Sequence, residues 1–184
     1  MERVQRESEE KMKRVVKALD DEFKTIRTGR ATAALFENIR VDYYGQKTPL
    51  NQMATISIPE ARMVIIQPWD RSVLAEVEKA IQRSDLSVNP NNDGKVIRIS
   101  IPPLTEERRR ELVKVARGIA EKSRVSVRNI RRDGNEELKK MQKASEISED
   151  EAKRGMEEIQ KLTDRYIEEV NSLLQDKEKE IMEI

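Results

Sequence analysis

Apolar positions keep a helical period at both ends of the chain and a two-residue period in its middle. Met12, Val15, Leu19, Phe23 and Ile26 step by three or four, so residues 1 to about 27 are read as one amphipathic helix, free of Gly and Pro. Gly29 interrupts it. From about Arg30 to Thr105 all six prolines and four of the six aromatics appear, and alternation takes over. Ile39/Val41/Tyr43, Ala54/Ile56/Ile58 and Ile97/Ile99/Ile101 read as half-buried strands, and Met63–Ile66 as a fourth beyond a Pro59-Glu60-Ala61 turn. One helix is embedded there, capped by Asp70 or Ser72, with Val73, Val77, Ala80 and Ile81 on its inner face. Asn89-Pro-Asn-Asn-Asp-Gly94 reads as a loop.

Beyond Pro102-Pro103 the helical texture returns. Thr105 suits an N-cap, and Glu106 and Glu107 follow where the helix dipole favours acids. Leu112, Ala116, Ile119, Val127, Ile130, Leu138 and Met141 hold one angular phase as far as about Lys143. Gly118 and Gly134 lie inside this run at about 1 kcal/mol each relative to Ala, which predicts a weakened or bent but continuous helix. Ala144–Ser148 breaks the pattern, Ser148 with Glu151 makes a capping box, and a third helix follows. Its seam is Ala152, Met156, Ile159, Thr163, Tyr166, Val170 and Leu173. Three single stripes need one another to be buried. The expectation is an α+β chain: an elongated three-helix bundle from residues 1–29 and 105–184, interrupted by a small α/β domain at 30–104. At ~1.5 Å per residue the two later helices run roughly 50–57 Å. A double connection at Gly29-Arg30 and Pro103-Leu104-Thr105 suits a hinge, since few contacts need cross it.

Composition narrows the function. Charged residues make up 39% and aromatics 3%, a balance that fits long solvated helices better than an enzyme pocket. There is neither Cys nor His, which removes disulfides, thiolate nucleophiles and imidazole as base or ligand. With no signal segment at the start and no apolar run near ~18 residues, a cytoplasmic chain outside the membrane is expected. No Gly-rich phosphate loop occurs, and Asn91–Gly94 lacks the spacing of a Ca²⁺ loop. The chain is therefore read as a binding protein, not an enzyme, with no cofactor and no metal.

Lys+Arg (36) nearly cancels Asp+Glu (35), so only the arrangement of charge can identify a partner. At about 100° per residue, Arg110, Arg117, Arg124, Arg128 and Arg131 share a sector of about 60°, with Glu121 about 20° beyond its edge. The row should face solvent about 100° from the apolar stripe. Arginine's planar fork suits phosphate oxygens, which points to RNA. The alternative is a solvated face whose arginines pair with Glu121 or with glutamates of a neighbouring helix, as in a coiled-coil scaffold. Arg27 and Arg30 either extend the basic surface or complement a helix C-terminus. Tyr43, Tyr44 and Trp69 are either a stacking platform for bases or the core and rim of the small domain. An RNA-modifying enzyme is the remaining class, disfavoured by the missing His and Cys.

Several blocks, in order and over essentially the whole chain, resemble the ribosome recycling factor family. They are Ile26-Arg-Thr-Gly-Arg-Ala31, Val41-Asp-Tyr-Tyr-Gly45, Thr48-Pro-Leu-Asn-Gln52, Ser84-Asp-Leu86 through Asn89-Pro90, Ile101-Pro-Pro-Leu-Thr-Glu-Glu-Arg-Arg109, Val127-Arg-Asn-Ile-Arg-Arg-Asp133 and Ile159-Gln-Lys-Leu-Thr-Asp164. The resemblance implies an L-shaped monomer, a three-helix bundle with an inserted β/α/β domain and a two-stranded hinge. It also implies a translation factor that acts with elongation factor G and GTP to disassemble the post-termination ribosome and release mRNA and tRNA. By that resemblance the bundle lies on large-subunit rRNA at the intersubunit face. Arg128 and Arg131 would carry the contact, with Arg132 and Arg124 behind them and Arg27 and Arg30 matching the basic motif beside the hinge.

Overall fold

The computed structural model describes residues 1–183, which form two compact units, Met1–Arg27 with Glu106–Glu183, and Thr28–Thr105. The first unit is all helix: α1 (Glu2–Thr25), α3 (Glu106–Lys143) and α4 (Glu149–Met182). Each presents one buried stripe to the other two. Val4, Met12, Leu19 and Phe23 of α1 meet Leu112, Ala116, Ala120, Val127 and Leu138 of α3, and Ala152, Ile159, Tyr166, Val170 and Ile181 of α4. The α1 stripe starts earlier than its strongest apolar run suggests, because Val4 and Ser8 continue the same phase. Two layers show how the stripes interlock: Val4, Leu138 and Ile159 form one, and Met12, Val127 and Tyr166 the other.

α3 runs unbroken through 38 residues, roughly 57 Å at ~1.5 Å per residue. Gly134 does not weaken the bundle but lets the helices close up. A Cβ there would stand 2.9 Å from the Ser8 hydroxyl and 2.9 Å from Ile159 Cδ1. Gly155 acts likewise on α4, where a Cβ would stand 2.9 Å from Leu138 Cδ1. A Cβ at Gly118 would meet nothing within 4 Å beyond its own turn of helix. α4 opens on the expected capping box: the Ser148 hydroxyl accepts from the Glu151 amide at 3.2 Å, and the Ser148 amide donates to Glu151 Oε2 at 2.8 Å.

The second unit holds β1 (Arg40–Tyr43), β2 (Gln46–Pro49), β3 (Ala54–Glu60), β4 (Met63–Pro68), α2 (Leu74–Gln82), β5 (Pro90–Asn92) and β6 (Ile97–Ser100). β1 and β2 form a hairpin; the others make an antiparallel sheet of order β3-β4-β6-β5. Val64 sits opposite Ile99 and Ile66 opposite Ile97. These side chains pack with Val77 and Ile81 of α2 and with Phe36, Val41 and Leu50 in one core. Two sequence expectations need correction. Ile58 is 39% exposed, because the β3–β4 register slips between Ser57 and Glu60 and ends the alternation. Within Asn89–Gly94, read as a loop, Pro90–Asn92 is a strand paired with β6 at the sheet's edge. An edge strand tolerates a proline, whose missing N–H need not face the ladder. The turn proper is Asp93-Gly94-Lys95, where the Asp93 carboxylate accepts from the Lys95 and Val96 amides at 2.9 Å each and Gly94 takes φ +89°.

Candidate nucleic-acid interface

Within α3, the stretch from Val113 to Arg132 carries seven cations against the single acid Glu121, in a chain whose net charge is +1. That local excess is a departure from charge mixing on the basic side. The arginine row, however, is not uniformly solvated. Arg110 and Arg117 keep 71% and 64% of their side chains exposed, while Arg124 keeps 19%. The row lies along the edge of α3 that borders α4, where Glu178, Asn171 and Gln160 stand against three of its arginines. Arg110 pairs with Glu106 one turn back. Arg117 Nε donates to Glu178 of α4 at 2.5 Å, a contact that raises the pKa of the guanidinium. Arg124 donates to Asn171 of α4 at 2.9 Å and to Glu121 at 2.9 Å. Arg128 reaches the other Glu121 oxygen at 3.2 Å, and Arg131 donates to Gln160 of α4 at 3.1 Å. Glu121 is held below the usual carboxylate range, first by its bond from Arg124 and then by that from Arg128.

The pairs of Arg124 and Arg128 with Glu121 and of Arg117 with Glu178 are those the solvated-face alternative calls for. They do not disable the row. Exposed ion pairs such as Arg110–Glu106 contribute about 0–1 kcal/mol, so an arriving phosphate can displace the acid there, whereas Arg124 is only 19% exposed. Arg132 is exposed and makes no ion pair among the described residues; the same holds for Arg27 and Arg30. Arg27 follows the end of α1, whose C-cap Ile26 is already extended. Gly29, at φ +78°, packs so closely on Leu104 that a Cβ would stand 3.1 Å from its Cγ. The left-handed φ and the Leu104 contact both call for glycine at this position.

Tyr43 belongs partly to the core of the second unit, whereas Tyr44 and Trp69 are 76% and 68% exposed. Both are nonetheless tethered: Tyr44 donates to Asp70 at 3.1 Å and Trp69 Nε1 to Thr55 at 3.0 Å. Among the described residues no helix is long and apolar enough to cross a membrane.

Residues 19–182 match the family model described as ribosome recycling factor. The chain belongs to the ribosome recycling factor family. The family's ribosome-recycling factor from Treponema denticola is 63% identical over 183 residues, covering 100% of this chain and 99% of that protein. Its counterpart in Syntrophomonas wolfei is 58% identical, covering 97% and 96%. A solution structure of a ribosome recycling factor matches at 48% identity and a TM-score of 0.72, over 100% of this chain and 97% of that one. A second match is the T. thermophilus ribosome recycling factor, placed with E. coli elongation factor G on the E. coli post-termination complex. There the identity is 45%, the TM-score 0.61, and 98% of each chain is covered. Family membership bears on the fold as well, since the recycling factor structures carry the same combination of long helices and a small antiparallel sheet.

Proposed function

We propose that this chain disassembles the post-termination ribosome together with elongation factor G and GTP, freeing mRNA and tRNA, and that α3 supplies its grip on large-subunit rRNA. The cation excess of α3 is the observation that carries the RNA contact: seven bases and one acid in the Val113–Arg132 stretch leave a strip of positive potential. Support for the partner comes from the T. thermophilus relative, pictured with elongation factor G on a post-termination complex. In this reading Arg128 and Arg131 lead the contact, with Arg110, Arg117, Arg124 and Arg132 along the same helix and Arg27 and Arg30 beside it. The chain works by binding, as a monomer in the cytoplasm, and GTP hydrolysis by elongation factor G supplies the free energy. Gly29, Arg30, Pro103, Leu104 and Thr105 form the hinge, with the close Gly29–Leu104 packing keeping its two strands of chain together.

The test is sedimentation of purified post-termination ribosomes. Subunits are expected when the chain, elongation factor G and GTP are all present, and intact ribosomes when any one is omitted. Splitting by the chain alone, or none with all three, contradicts the proposal.

A further inference from the structure

Three glycines lie inside the long helices, and two have a reason within the chain: a Cβ at Gly134 would meet Ser8 and Ile159, and one at Gly155 would meet Leu138 and Met1. Gly118 has none. A Cβ there would find nothing within 4 Å, and the residue is exposed on α3. A helical glycine costs about 1 kcal/mol relative to Ala, so this one weakens the helix without relieving any contact in the protein. Its surroundings share the oddity. Val115 and Val125 are 51% and 45% exposed, although β-branched residues are poor choices for a solvated helix face.

At about 100° per residue, Lys114, Gly118, Lys122, Val125, Asn129 and Arg132 fall within about 80° of one another, with Val115 at the margin. This sector points away from the core stripe and is distinct from the arginine row along α4. Lys114 and Lys122 stand one turn to either side of Gly118. Between Glu111 and Asp133 no acid lies in the sector; Glu121 falls outside it and is taken up by Arg124 and Arg128. Lys114, Lys122 and Arg132 make no ion pair among the described residues.

We infer that this outward face of α3 is a close-approach seat for an RNA backbone: Lys114, Lys122 and Arg132 take phosphates, while Gly118, between Val115 and Val125, lets the sugar–phosphate chain lie against the helix. The unpaired cations call for a polyanion by charge complementarity, and their run of about 27 Å along the axis suits an extended strand. The wide, shallow minor groove of an RNA helix admits such a flush contact, with 2′-hydroxyls within reach of the exposed helix backbone. An acidic protein partner would be expected to meet aromatic anchors, and this face has none. The inference rests on the RNA-binding reading of α3 and adds a second contact face to it.

Gly118→Ala and Gly118→Leu separate the two demands, because stability and binding should move in opposite directions. Gly118→Ala should melt about 2–4 °C higher yet bind large ribosomal subunits several-fold more weakly, and Gly118→Leu should lose about tenfold or more. If both bind like wild type while Arg128→Ala/Arg131→Ala loses binding, the seat is wrong and the RNA reading of α3 stands. If none of the three changes binding, that reading falls with it. The partner's class is read separately, since the chain has no cysteine. Lys122→Cys carrying a tethered hydroxyl-radical source should cut rRNA strands on the large subunit. Full binding with no strand scission would mean a protein occupies the face and would overturn the inference.

Discussion

Gly134 of α3 faces Ile159 of α4 so closely that a Cβ on the glycine would stand 2.9 Å from the isoleucine's Cδ1. Ile159 is fully buried, so it has little room to withdraw. Gly134→Leu should therefore destabilise the bundle by about 1–3 kcal/mol through overpacking. Gly134→Ala should forfeit the gain in helix propensity that Gly118→Ala enjoys, where the added methyl meets nothing. Urea denaturation of the three variants checks the order. Equal stabilisation by Ala at both sites would mean the helices do not approach as described.

A second prediction concerns pH. Glu9 of α1 accepts from Arg165 at 2.5 Å and from Tyr166 at 3.1 Å, both on α4. The Arg165 bond, followed by that of Tyr166, holds the Glu9 carboxyl below its ordinary 4.5. A carboxylate whose folded pKa is depressed adds stability that is present above the unfolded value and is lost as pH falls through the folded one. Glu9→Gln should therefore be less stable than wild type at neutral pH, with the gap closing as pH drops below about 4.5. Parallel melts from pH 7 to 3 measure this. A gap that stays constant would mean the loss is one of packing and not of charge.

Much of this was legible in the residues themselves. The spacing of Met12, Leu19 and Phe23, of Leu112, Ala116 and Val127, and of Ile159, Tyr166 and Val170 found three stripes with no other place to be buried. Ser148 with Glu151 marked the start of the last helix. What one-dimensional periodicity could not supply is distance between helices. It put five arginines on one edge of α3 but could not say that Glu178, Asn171 and Gln160 of α4 would stand against three of them. For the same reason Gly134 looked like a weak point of the helix when it is a point of close approach to Ser8 of α1 and Ile159 of α4. Pro90–Asn92 was hidden by composition: an edge strand can be built from residues that elsewhere make turns.

The third prediction follows from the pairing of the row. Glu121 ties up Arg124 and Arg128 and is the only acid from Val113 to Arg132. Glu121→Gln should release both arginines and tighten binding to large subunits a few-fold, with circular dichroism unchanged. Weaker binding would show that Glu121 positions the two guanidinium groups for their partner.

Most direct of all is the binding of the chain to large ribosomal subunits across a range of KCl concentrations, for wild type and for Arg128→Ala/Arg131→Ala. Each phosphate contact contributes a log–log slope of roughly 0.7–0.9. If all five arginines of the row take phosphates, they contribute about −3.5 to −4.5 to the wild-type slope, each further cation contact steepening it, and the double variant should be shallower by about 1.4–1.8. Its melting temperature should be nearly unchanged, since surface substitutions usually matter by less than ~0.5 kcal/mol, and it should fail to split ribosomes. A double variant that binds with the wild-type slope and splits ribosomes would reduce the row to a solvated face and contradict the account.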